Sequence, residues 1–203
     1  MLAETHPEDD LVALVGSRLC HDLISPLGAI GNGVELLTMT ATTLSPELQL
    51  ITESVAAANA RIKFFRLAFG RAGEQRMGRP EVSGLMAELS QGSRVKISWE
   101  AEGDYSRQMV KIACLAVLCI EPALPRGGEI VVRRDPADGP GAWTVLGTTA
   151  RIREEPELWA NLDGTPSPVS PAQVQFALLP REAAAAGLTL AWKIDDTTAQ
   201  ITF

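Results

Sequence analysis

Between residues 11 and 37 apolar side chains recur at alternating spacings of three and four: Val12, Val15, Leu19, Leu23, Leu27, Ile30, Val34 and Leu37. At roughly 100° per residue they fall on one stripe of a helix, a heptad-like seam. Asp9 and Asp10 suit the positive N-terminal end of such a helix, which is predicted over 9–39. Gly31-Asn32-Gly33 conflicts with it, since glycine costs about 1 kcal/mol in a helix interior. Val34 and Leu37 nevertheless continue the stripe. Pro26 removes one helical N–H and is expected to bend the helix. A second helix opens with Ser45 as N-cap, Pro46 in the first turn and Glu47 beside it. Leu48, Ile51, Val55, Ala58, Ile62, Phe65 and Phe69 repeat with the same alternation, and Gly70 ends it. The connection is short, so the pair is predicted to fold as an antiparallel hairpin. Two helices with one seam each do not enclose a core. A second copy completing a four-helix bundle about a two-fold axis would do so, as would cover from residues 80 to 203.

Residues 71–80 are polar and read as a linker, which divides the chain into 1–70, 71–80 and 81–203. Beyond it the period changes. Val82 to Leu89 suggests a short helix. Arg94 to Glu100 alternates as a strand, and Ser106 to about Ile120 is a strongly apolar helix. Pro122 and Pro125 stop it, Gly127-Gly128 turns, and Glu129 to Arg134 is a strand. Asp138-Gly-Pro-Gly141 reads as a hairpin turn before a strand at Trp143 to Leu146. A short helix at Glu155 to Leu162, a helix at Gln173 to Gly187 with a possible break at Pro180, and an antiparallel pair at Leu188–Ile194 and Thr198–Phe203 complete the chain. The class is α+β: a helical hairpin followed by an α/β sandwich with helices on one face of a mixed sheet.

The 203 residues are 46% hydrophobic, enough for a packed core in one domain or two small ones. No apolar run approaches the roughly 18 residues of a membrane span, and the acidic start has no signal-peptide h-region. A cytoplasmic protein is expected. Net charge is −7, which argues against general nucleic-acid binding. Arg61, Lys63, Arg66, Arg71, Arg76 and Arg79 still form a basic cluster, either a solvated face or a docking surface for an acidic partner. Cys20, Cys114 and Cys119 lie in apolar helical settings and read as buried free thiols. No Cys/His spacing suits zinc. Walker A, dinucleotide and nucleophile-elbow motifs are missing.

Candidate chemistry centres on His21. The other histidine, His6, sits in the polar N-terminus. His21 lies about 180° from the middle of the apolar stripe, so it points away from whatever the stripe buries. Ser17, Ser25, Gly28 and Asn32 surround it, with Leu14 and Ile24 at the edges. These small residues leave room for a macromolecule to approach the ring. A neutral imidazole nitrogen is a competent nucleophile.

His21-Asp22-Leu-Ile-Ser-Pro26-Leu27 resembles the phosphoacceptor box of bacterial two-component histidine kinases: a histidine, an acid beside it and a proline five positions on. The string from His21 to Leu37 and Leu-Pro-Arg-Gly-Gly at 124–128 are more similar to the dimeric histidine phosphotransferases of the ChpT type, over nearly the whole chain. That resemblance implies that His21 is the phosphoacceptor in a phosphorelay and that the chain is a homodimer. It implies donor and acceptor partners that are receiver domains of response regulators, docking at Leu14, Ser17, Ile24, Ser25, Gly28, Asn32 and Phe64. Phe64 lies off the second helix's seam, where an aromatic needs a reason. Asp22 is a possible orienting acid, although neighbours i and i+1 on a helix do not ordinarily face one another.

The same resemblance implies that the second domain is a degenerate kinase ATP-binding domain. The magnesium-holding asparagine of a kinase would fall at Cys119, and a thiol is a poor ligand for a hard cation. The only candidate for the nucleotide-reading Asp-x-Gly-x-Gly box is Asp138-Gly-Pro-Gly-Ala142, with the wrong spacing. No ATP, no metal and no other cofactor are expected on this chain, with Mg²⁺ supplied by the receiver. The alternatives are an ATP-dependent sensor kinase core and a non-catalytic dimeric scaffold.

Overall fold

The computed structural model describes residues 7–40, 43, 45–73, 75–134, 142–165 and 167–203. Two compact units emerge, one at His6–Arg71 and one at Ala72–Phe203.

The first unit is a helical hairpin of α1 (Pro7–Thr40) and α2 (Pro46–Phe69). The Ser45 hydroxyl accepts from the Leu48 N–H at 3.2 Å, and the Gly70 N–H closes the far end on the Arg66 carbonyl. The helix continues through Gly31-Asn32-Gly33. A Cβ at Gly31 would make only ordinary contacts, 3.5 Å from Val55 Cγ1 and 3.8 Å from Asn59 Nδ2. Gly16 is the tighter place, where a Cβ would lie 3.2 Å from the Phe69 carbonyl oxygen.

The face of α1 that meets α2 overlaps the expected stripe only at its edge, where Val34 is buried and Leu27 half-buried. It runs through Gly16, Ser17 and Gly31, and Cys20 and Val34 are buried. Val15, Leu19, Leu23, Ile30 and Leu37 remain between 50 and 59% exposed. They lie about 100° round the helix from the face turned toward α2. The heptad-like pattern therefore marks a surface left open within the chain. Leu36, Met39, Leu50 and Ile51 are exposed as well.

The second unit begins within the stretch read as a linker. Arg76–Gly78 is a short strand, β1, and α3 (Arg79–Ser90) opens on Pro80. The strand gains its partner from β3 (Asp104–Ser106), which was not foreseen, in register Met77↔Tyr105. A strand of three residues is too short to show a period. The main sheet has the order β2 (Val95–Trp99), β4 (Gly128–Arg134), β5 (Trp143–Thr148), β7 (Thr198–Thr202) and β6 (Ala191–Ile194). The β2–β4 pair is parallel and is joined through α4 (Arg107–Ile120). All other pairs are antiparallel. Val95, Ile97, Trp99, Ile130, Val132, Val145, Ala199 and Ile201 bury one face, while Lys96, Ser98, Glu129 and Thr148 on the other are exposed.

Every residue of α4 from Val110 to Ile120 is buried. A helix that is hydrophobic all round belongs inside, and this one packs between the sheet and α6 (Gln175–Ala185). Lys111, the one charged residue between Val110 and Ile120, is paired with Glu182 of α6. Trp159, the last residue of α5 (Pro156–Trp159), stands 5.6 Å from the Phe176 ring and 5.5 Å from Trp192. The helix α6 passes through Pro180 without a break. At the 124–128 segment Gly127 adopts φ +88°, and the Gly128 N–H bonds the Arg94 carbonyl at 3.1 Å, so the turn seats β4 beside β2. The expected hairpin turn at Asp138–Gly141 lies outside the described residues.

Candidate functional site

His21 projects from the middle of α1 with its side chain 81% exposed. It stands on the side of the helix opposite Val15, Leu19, Leu23, Ile30 and Leu37. Its Nδ1 and Asp22 Oδ1 are 3.2 Å apart. The divergence expected of neighbours on a helix is thus overcome here, because a carboxylate on a short stem bends back to the adjacent ring. The other carboxylate oxygen, Oδ2, accepts from Arg18 Nε at 2.7 Å. Arg18, Asp22 and His21 therefore form one chain of contacts on the helix surface. His21 in the lead, and Arg18 after it, hold the Asp22 carboxyl below the usual carboxylate range.

With Nδ1–H donating to Asp22, the lone pair belongs to Nε2, at the outward edge of the ring. Arg18 was missed in the sequence. The signal was a basic residue four positions before an acid, the spacing of a helical ion pair.

Pro26 is exposed within an unbroken helix. Because it has no N–H, the carbonyl four residues earlier, that of Asp22, gets no helical bond from it. The residue beside the His21 ring is also where the ladder is interrupted.

The surrounding residues divide. Leu14, Ser25 and Asn32 are exposed, and Ile24 and Gly28 are half-buried. A Cβ at Gly28 would meet no atom within 4 Å, so packing within the described residues does not require glycine there. Ser17 has a duty inside the hairpin, accepting from the Arg71 N–H at 3.3 Å. Phe64 must be corrected, since it is fully buried. An aromatic off one apolar seam had been covered by another surface and was never exposed. Cys20, next to His21, is buried too. Burial pushes its thiol up, with Arg66 partly opposing, so it is no competing nucleophile.

Among the described residues no three His, Cys, Asp or Glu side chains gather as a metal site. No described helix is long and apolar enough to cross a membrane.

The chain thus joins a helical hairpin that carries an exposed imidazole, bonded to its neighbouring acid, to an α/β unit built on a mixed five-stranded sheet. Residues 79–198 match the model of the histidine phosphotransferase C-terminal domain. The chain is 33% identical over 165 residues to the protein phosphotransferase ChpT of Brucella abortus (strain 2308), a match covering 80% of this chain and 78% of that one. A solved structure of a bacterial phosphotransferase superposes with a TM-score of 0.70 at 27% identity, covering 100% of this chain and 99% of the other. The chain belongs to the histidine phosphotransferase family.

Proposed function

We propose that the protein relays a phosphoryl group between aspartates of two receiver domains by way of His21. The observation that carries this is the exposed ring with Nδ1 engaged by Asp22 and Nε2 turned outward. The Nε2 lone pair attacks the phosphorus of an aspartyl phosphate, the P–O bond to the receiver carboxylate breaks, and that carboxylate leaves. The product is a phosphohistidine whose ring carries a proton on Nδ1, with Asp22 beside the new positive charge. In the second half the carboxylate of another receiver attacks phosphorus and the P–N bond breaks, which restores the neutral imidazole. Such transfer rests on alignment and charge neutralisation more than on proton movement. The Mg²⁺ it uses is held by the receiver.

The homodimer follows from the open stripe. Val15, Leu19, Leu23, Ile30 and Leu37 form a face that a second hairpin can cover. Because His21 lies on the opposite side of α1, it stays free in that assembly. The protein works in the cytoplasm, where receivers reside.

Relay rather than ATP-dependent autophosphorylation is supported by α4. Cys119, the expected counterpart of a magnesium ligand, is fully buried, and burial drives its thiol far up. No side chain from Val110 to Ile120 is exposed to hold a nucleotide's metal. Exposed contacts for a receiver are Leu14, Ser25 and Asn32, with Ile24 and Gly28 partly accessible.

The test is incubation with a panel of phosphorylated receivers and, separately, with MgATP. Acid-labile label on wild-type His21 from a receiver, lost in His21→Gln, is expected. Label from MgATP alone would favour a kinase. No label from any receiver would leave the scaffold.

A further inference from the structure

We propose that Arg18 is a positioning residue for the transfer. It pins the Asp22 carboxylate on Nδ1–H of His21 and thereby selects the ring tautomer that leaves Nε2 able to attack. The inference rests on the phosphorelay reading only for its consequence, since the tautomer itself is a property of the free protein.

The geometry is a three-member chain. Arg18 Nε to Asp22 Oδ2 is 2.7 Å, and Asp22 Oδ1 to His21 Nδ1 is 3.2 Å. Residues i and i+1 diverge by about 100° on a helix. An aspartate next to a histidine therefore has several staggered side-chain positions, of which few bring it onto the ring. A second anchor is needed to hold the one that does. Arg18 supplies it from one turn earlier, on the same side as the acid, and the planar carboxylate divides its two oxygens between the two partners. Without that anchor the carboxylate turns to water. A neutral imidazole left to water carries its proton preferentially on Nε2, which blocks the atom that must attack. The salt link thus acts on the reaction through a proton's location.

Arg18 is 78% exposed and Asp22 47%, so solvent and salt weaken the link. The expected effect is a change of about two- to fivefold in the Nδ1–H to Nε2–H ratio, and a similar loss in rate.

The experiment uses the full chain labelled with ¹⁵N, observed at about pH 8.5, where an imidazole is neutral. The ring nitrogen shifts of His21 report the tautomer directly. Wild type is expected to favour Nδ1–H, Arg18→Gln to lose part of that preference, and Arg18→Lys to recover most of it. Phosphotransfer to His21 should change in the same order. An unchanged tautomer ratio in Arg18→Gln overturns the proposal, whatever happens to the rate. A slower rate with an unchanged ratio would mean that Arg18 touches the receiver or the phosphoryl group instead. Failure of every receiver to label wild-type His21 would sink the phosphorelay reading while leaving the tautomer result standing.

Discussion

Asp22 and His21 are neighbours in the chain and bond to each other through their side chains, Oδ1 to Nδ1 at 3.2 Å, on the exposed surface of α1. This contact makes the ring directional. One nitrogen is occupied by the protein itself and the other is the one the proposed relay uses. Removing it should slow phosphotransfer without unfolding the helix. A hydrogen bond is worth about 0.5–1.5 kcal/mol net, so Asp22→Ala is expected to cost about two- to tenfold in the rate of labelling at His21. Circular dichroism should be unchanged.

The open apolar stripe predicts an assembly. In light scattering coupled to gel filtration, wild type should run at twice its 21.7 kDa chain mass. Leu19→Glu or Leu23→Lys places a charge in the proposed seam and should give single chains. A wild-type protein that stays monomeric at tens of micromolar would leave the stripe unexplained.

Gly28 separates stability from function. Nothing lies within 4 Å of a Cβ built there, and alanine is about 1 kcal/mol better than glycine inside a helix. Gly28→Ala is therefore expected to raise the melting temperature. If a receiver packs closely beside His21, the same variant should raise the KM for that receiver. A higher melting temperature with unchanged transfer kinetics would remove Gly28 from the docking surface.

Gly147 gives the opposite case. A Cβ there would overlap Ile120 Cγ2 and press on Leu124 Cδ1 at 3.1 Å. Overpacking of this kind costs about 1–3 kcal/mol. Gly147→Ala should lower the denaturation midpoint accordingly while leaving the exposure of His21 to a solvent reagent unchanged.

A pH titration addresses the turn before β7. The Asp195 carboxylate accepts from the Thr198 hydroxyl at 2.6 Å and from the Thr197 and Thr198 N–H groups at 3.0 and 2.8 Å. These bonds, that of the Thr198 hydroxyl foremost, lower its pKa to about 2. An unfolded aspartate titrates near 3.9. The folded value is depressed, so the turn's contribution is fully present above about pH 4 and is lost as pH falls through about 2. Carboxyl ¹³C shifts should show Asp195 titrating at about 2, and Thr198→Val, which removes the hydroxyl donor, should move its midpoint upward.

Both helices of the hairpin, the position of His21 opposite the apolar stripe, and the parallel strands β2 and β4 were legible in the sequence, because each is set by spacing within one segment. Local spacing does not say which surface covers a side chain. For that reason Phe64 was misplaced on the outside. The same limit hid which face of α1 meets α2, where Gly16 lies against Phe69 and Gly31 against Val55. Arg18 was overlooked because one of many surface arginines stands out only once its Nε is seen on the Asp22 carboxylate.

By itself the amino-acid order determined periodicity, caps and the side of α1 on which His21 stands, since a helix converts sequence distance into angle by a fixed rule. Only the tertiary structure decided that the stripe stays open, that α4 is sealed on every side and that Asp22 turns back to its neighbour. Those depend on which atoms from distant or freely rotating groups arrive at the same place, and no repeat along the chain encodes that.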